Sequence, residues 1–150
     1  DRARFFAEGP HCTAVQFHMN LFERNDAMIA VCEEHDLAGI VRGPLAKGLL
    51  TSKFDRQSRL PEDDVRTDWN FTEGTLAERL DRLGALRELL THDGRSLAQG
   101  ALGWLWARSE TTIPIPGFKT VAQVEENVGA LECGPLDAEQ MATVEAALAQ

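Results

Sequence analysis

The chain has 150 residues, 43% of them hydrophobic, with 24 acidic against 15 basic side chains and a net charge of −9. That length and apolar content suit one compact unit with a sizeable core. The acidic balance argues against nucleic acid or an anionic membrane as partner, and no apolar run approaches the roughly 18 residues of a membrane span.

In chain order, the first predicted element is a strand over 14–17. A helix over 27–35 follows, with Met28, Val31 and Cys32 on one face and the Asn25-Asp26 pair ahead of it as caps. A second strand covers 39–42. The stretch from 54 to 74 is long for a βα connection, and loops above about 12–15 residues are usually functional or mobile, which makes it a candidate lid. Leu76, Leu80, Leu83, Leu86 and Leu90 then recur at helical spacing. Ser96 caps a further predicted helix in which Leu97, Ala101, Leu102 and Leu105 face inward, while Gly100 and Gly103 permit close packing. A third strand covers 111–115. The last helix opens with a capping-box pattern, Asp137 with Gln140; Leu136 and Met141 are placed as a hydrophobic staple, and Val144 and Leu148 continue the stripe. This alternation of strands and helices predicts parallel β/α units.

The segment after the third strand carries the chemistry. Gly117 allows a tight turn, Lys119 supplies a positive charge, and Thr120 is an N-cap for a helix whose free N–H groups attract an anion. Gln123, Glu126 and Asn127 stand at i, i+3 and i+4 on one face. Val121, Val124, Val128 and Leu131 are expected to hold the other face to a core. Such a corner suits a nucleotide phosphate. Lys119 supplies the cation for a charge-assisted bond to that phosphate, and no acidic residue stands between Phe118 and Thr120 to oppose it.

Three segments resemble the aldo-keto reductases in order and spacing. Val15-Gln16-Phe17-His18-Met19-Asn20-Leu21-Phe22-Glu23-Arg24 resembles the family's sixth barrel strand and the turn after it. Gly43-Pro44-Leu45-Ala46-Lys47-Gly48-Leu49-Leu50-Thr51-Ser52-Lys53 resembles the loop after the seventh strand. The segment from Ile115 to Asn127 resembles the eighth strand and its helix, the adenosine 2′-phosphate corner. The resemblance implies an α/β fold, about three β/α units from the C-terminal part of a (β/α)8 TIM barrel. It also implies NADP-dependent hydride transfer between NADPH and an aldehyde or ketone.

The resemblance further implies residue roles at the C-terminal ends of the strands, where such barrels place their sites. Gln16 matches the glutamine that bonds the nicotinamide carboxamide. Gly43, Leu45 and Gly48 would offer backbone N–H groups to the pyrophosphate. Arg42 departs from the family's stacking aromatic residue; its guanidinium either stacks on the nicotinamide or pairs with a phosphate or a neighbouring carboxylate. Arg56, Arg59, Arg66 and Trp69 of the long loop either reach cofactor phosphates and line a carbonyl pocket, or form a solvated charged loop in which Asp63-Asp64 pairs with Arg66. Surface ion pairs are common and weak, which favours the second reading for the arginines. His18 and Met19 are read as packing residues, and His11, His35 and His92 receive no catalytic role.

The chain contains no tyrosine and begins with Asp1. The family's catalytic Asp, Tyr, Lys and His lie on the first half of the barrel, so residues 1–150 are expected to be a partial reductase domain lacking the N-terminal half. No catalytic residue is therefore assigned, and the chain alone is expected to be inactive. Two alternatives stand beside this: a non-catalytic NADP-binding or regulatory module, and a half-barrel that assembles with another chain through its open edges. Cys12, Cys32 and Cys133 show no Cys-x-x-Cys pairing and no metal-ligand spacing with histidine. They are expected to be reduced thiols of a cytoplasmic protein without a metal.

Overall fold

A computed structural model describes residues 2–149. The elements in order are α1 (Arg2–Ala7), β1 (Ala14–His18), α2 (Asp26–Glu34), β2 (Ala38–Arg42), α3 (Gly74–Leu90), α4 (Leu97–Arg108), β3 (Thr112–Ile115), α5 (Val121–Cys133) and α6 (Ala138–Leu148), with short 3-10 turns at Ala46–Gly48 and His92–Gly94. Helix α1, too short to show a period, is the one element not expected from the pattern.

The three strands form a parallel sheet in the order β1-β2-β3. Gln16 pairs with Ile40, which pairs with Ile113, and His18, Arg42 and Ile115 form the next such row. Because side chains alternate across a strand, these rows share one face. Phe17, Val41 and Thr112 are buried on the opposite face, where a Cβ added at Gly39 would touch both the Phe17 ring and Cys32 Sγ of α2. Thr112 Oγ1 donates to the carbonyls of Leu105 and Ser109 at 2.9 and 2.8 Å, tying β3 to the end of α4.

Helix α4 is the most buried of the helices, with Trp104 and Leu105 fully enclosed. Burying a leucine side chain contributes about 1.5–3 kcal/mol, and Leu83, Leu86 and Leu90 add α3 to the same core. Gly100 has no room for a side chain, because a Cβ there would land on the Leu90 carbonyl. Ser96–Gln99 and Asp137–Gln140 both form complete capping boxes, as their spacing requires. Glu145 of α6 accepts the indole N–H of Trp104 at 3.0 Å and a hydrogen bond from Arg24, and Arg108 lies 3.5 Å away, so one carboxylate ties α6 to α4 and to the segment before α2.

Three expectations are corrected here. Asn25 occupies the N-cap position of α2 but makes no capping bond; its side chain donates instead to the His18 carbonyl at 3.4 Å. His18 is not a packing residue: Met19 takes the buried position and His18 turns to the opposite, polar side. The faces of α5 are also reversed. Val121, Val128 and Leu131 are 74, 56 and 66% exposed, whereas Ala130 is fully buried on the same face as Glu126 and Asn127. Helix α5 meets α4 through small residues and backbone: the Gln99 amide donates to the Glu126 carbonyl at 3.1 Å and would collide with a Cβ at Gly129. A valine stripe records only that some apolar neighbour is suited to it, and α4 is not that neighbour.

Candidate functional site at the strand ends

The candidate residues converge on the C-terminal ends of the strands. Arg42 ends β2, and Lys119 follows β3 by four residues. Gln16 lies two residues inside the end of β1 and is exposed on the face away from the helices.

At the end of β1 a polar cluster forms that motif reading missed. His18 and Glu23 pair through Nε2 and Oε2, and Arg79 of α3 donates to the other Glu23 oxygen at 3.0 Å. Burial pushes the Glu23 carboxyl up, but the bonds from His18 and Arg79 outweigh it and hold the group below its ordinary value. Arg42 Nη1 lies 3.4 Å from His18 Nδ1; a guanidinium can only donate, so Nδ1 accepts and Nε2–H is left for Glu23. Asn20, fully buried, accepts the backbone N–H groups of Phe22 and Glu23 and donates to the Gly43 carbonyl at 3.3 Å. The turn after β1 is thereby fastened to the loop after β2. Gly43, at φ 67°, has no room for a Cβ, which would fall on the His18 ring.

Beyond Gly43 the backbone returns to negative φ at Leu45 and is left-handed again at Ala46, Lys47 and Gly48. The Gly48 N–H, expected to face a pyrophosphate, is donated to the Leu45 carbonyl at 2.8 Å within the turn. The long loop then folds over an aromatic cluster of Phe54, Trp69 and Phe71, with ring centroids 5.4 to 5.9 Å apart. Arg66 is buried in it, its guanidinium 5.0 Å from the Phe54 ring and 5.4 Å from Trp69. Its other contacts are a two-pronged bond to Asp64 at 2.7 and 2.6 Å and a bond to the Lys47 carbonyl at 2.8 Å. The Arg66 hydrogen bond, with a smaller contribution from the charge of Lys119, brings the Asp64 carboxyl down to about 2. The Arg66–Asp64 pair anticipated from sequence is thus present, but packed rather than solvated. Arg56 is paired with Asp81 at 2.6 Å, and Arg59 donates to carbonyls of its own loop. Leu60, Thr67, Trp69 and Phe71 line an open cleft in this loop.

At the third segment Thr120 caps α5, its hydroxyl accepting the Gln123 N–H at 3.3 Å. The Gln123 side chain closes the turn by accepting the Lys119 N–H at 2.6 Å, one residue before the Thr120 N–H that the Thr-x-x-Gln spacing of a capping box would have it take. Gly117, Phe118 and Lys119 are exposed. Among the described residues neither Lys119 nor Arg42 has a carboxylate within ion-pair distance. Asn127 Nδ2 is shielded from water and has no hydrogen-bond partner. A buried donor without an acceptor is costly in a folded protein, and an acceptor on a bound ligand would satisfy it.

Parallel β/α units with a polar rim at the strand ends are the construction of the β/α barrel class. The sequence profile of the Aldo/keto reductase family matches residues 7–149, and the chain belongs to that family. It is 27% identical over 123 residues to the NADP(+) aldo-keto reductase yakc of Schizosaccharomyces pombe, covering 81% of this chain and 36% of that protein. It is 33% identical over 124 residues to the chloroplastic pyridoxal reductase of Arabidopsis thaliana, covering 81% of this chain and 32% of the relative. Among solved structures, the glycerol dehydrogenase of Gluconobacter oxydans superposes with a TM-score of 0.79 at 27% identity, covering 91% of this chain and 42% of that one. The chain therefore spans about a third of the length of these curated relatives and under half of the solved one. All three cysteines are free thiols, and no helix among the described residues is long and apolar enough to cross a membrane.

Proposed function

We propose that this chain is the cofactor-gripping portion of an NADP-dependent aldo-keto reductase of the cytoplasm. The observation that carries the reading is the start of α5, where exposed Lys119 has no carboxylate partner and Asn127 Nδ2 lies buried without an acceptor. Lys119 would hold the 2′-phosphate, and Asn127 with Glu126 the adenine end. Gln16 would meet the carboxamide at the other end of the cofactor. Gly43 and Leu45 would approach the pyrophosphate, with Gly48 shaping the loop. Arg42 would lie against the nicotinamide or a phosphate. Bound NADPH supplies the hydride that reduces an aldehyde or ketone. The chain's own part is to bind and orient: Arg66 bonds the Lys47 carbonyl, so the long loop is fastened to the segment after β2 as a lid would be. Trp69 and Phe71 would form part of the substrate wall. Without a tyrosine, the proton for the developing alkoxide would come from β/α units outside this sequence. The chain alone would be a cofactor-binding module without turnover.

Titration of NADPH and NADH by tryptophan quenching tests this. Lys119→Ala is expected to weaken NADPH by roughly 10- to 150-fold, the loss of one charge-assisted contact of about 1.5–3 kcal/mol, and to leave NADH nearly unchanged. Asn127→Ala should weaken both alike. Equal losses for both cofactors in the Lys119 variant would remove the NADP assignment.

A further inference from the structure

The polar cluster at the end of β1 leaves one positive charge without a counter-charge. Its carboxylate, Glu23, is shared between His18 and Arg79, and among the described residues no carboxylate lies within ion-pair distance of Arg42. The contact with His18 does not offset that charge. Nδ1 accepts from Arg42 and Nε2 keeps its proton for Glu23, so the ring is neutral. In a chain of net charge −9, an exposed and unpaired guanidinium at the end of β2 is a local exception.

The direction of the side chain decides which part of a cofactor it meets. Gln16 and Arg42 belong to successive rows of one sheet face, Gln16 opposite Ile40 and Arg42 opposite His18. Two residues along a strand and one strand across put their backbones roughly 8 Å apart, a gap that a nicotinamide ring with its carboxamide can bridge. The contact of Nη1 with His18 at 3.4 Å draws the guanidinium toward β1, the strand of Gln16. On the other side its row neighbour is Ile115 of β3, the strand that leads to Lys119. The head group thus leans away from the phosphate corner.

We propose that Arg42 lies over the nicotinamide ring, not on a phosphate, and makes the site hold the reduced cofactor more tightly than the oxidised one. This deepens the NADP-dependent reading above and rests on it. A guanidinium stacks on a flat ring. The reduced ring is neutral, whereas the oxidised ring carries a positive charge that a like charge at stacking distance repels. A phosphate contact would act otherwise, since the phosphates carry the same charge in both forms. The bias favours taking up the reductant and releasing its oxidised product, the order that carbonyl reduction needs.

Calorimetric titration of the 150-residue chain with NADPH, NADP+ and 2′,5′-ADP, which lacks the nicotinamide, tests this. NADPH is expected to bind at least about tenfold more tightly than NADP+, the effect of one like-charge contact weakened by solvent. In Arg42→Gln that ratio should fall to within about threefold. In Arg42→Lys, which keeps the charge, the preference should persist, and 2′,5′-ADP should bind all three proteins alike. Equal losses of NADPH and NADP+ in Arg42→Gln, with the ratio kept, would put Arg42 on a phosphate and overturn the proposal, as would equal affinities in the unsubstituted chain. The corner assignment fails separately: 2′,5′-ADP that does not bind, or that loses nothing in Lys119→Ala, removes the 2′-phosphate site and leaves the ratio to judge Arg42. Failure of both dinucleotides to bind would overturn both.

Discussion

Asp64 shows what a single side chain contributes to the long loop. The Arg66 hydrogen bond is the largest influence, ahead of the burial that opposes it, and the folded value of about 2 lies below the roughly 3.9 of an unfolded aspartate. A lowered folded value means that this contact stabilises the chain fully above about pH 4 and ceases to do so as pH falls through about 2. The carboxyl-carbon chemical shift of Asp64 is expected to titrate near 2, and Asp64→Asn should flatten the acid limb of the stability profile between those limits. An unshifted titration near 4 would show the pair to be solvated. Residue-scale legibility was uneven for a physical reason. Lys119, Thr120 and Gln123 interact within four residues of one another, so their spacing exposes them. The His18–Glu23–Arg79 cluster stayed hidden because Arg79 lies 56 residues from Glu23 and comes near only through folding.

Among the elements, local rules succeeded wherever the bonds were local. Both capping boxes sit where Ser96 and Asp137 place them, and Asp137→Ala should cost about 1 kcal/mol, measured by thermal or urea unfolding. The orientation of α5 could not be read in this way. Its valines and leucine repeat as a core stripe would, but α4 presents Gln99 and close backbone, and Gly129 and Ala130 are the residues small enough to meet it. Substitutions separate the two faces. Ala130→Leu is expected to destabilise the chain by about 1–3 kcal/mol through overpacking, whereas Val128→Ser should stay within about 0.5 kcal/mol. Equal costs in urea melts would mean that the valine face is covered in solution.

For the whole molecule, the strand order and parallel register followed from the alternation of strands and helices, and the open face did not, since periodicity counts no strands beyond those present. With no tyrosine in the chain and a proton donor contributing typically 10²–10⁴-fold to such reactions, the isolated protein should show no NADPH oxidation with a panel of aldehydes. Turnover matching that of a full-length relative, in protein free of other reductases, would reverse this. The Glu145 carboxylate has a consequence during synthesis. It lies in α6, which is made after both of its partners, yet it receives the indole N–H of Trp104 and a bond from Arg24. Until α6 leaves the ribosome, Trp104 has no acceptor for a polar atom that must enter the core, and burial of such an atom without a partner is penalised. A nascent chain complete through α5 is therefore a waiting intermediate, and a translational pause just before α6 would lengthen the time in which it can aggregate.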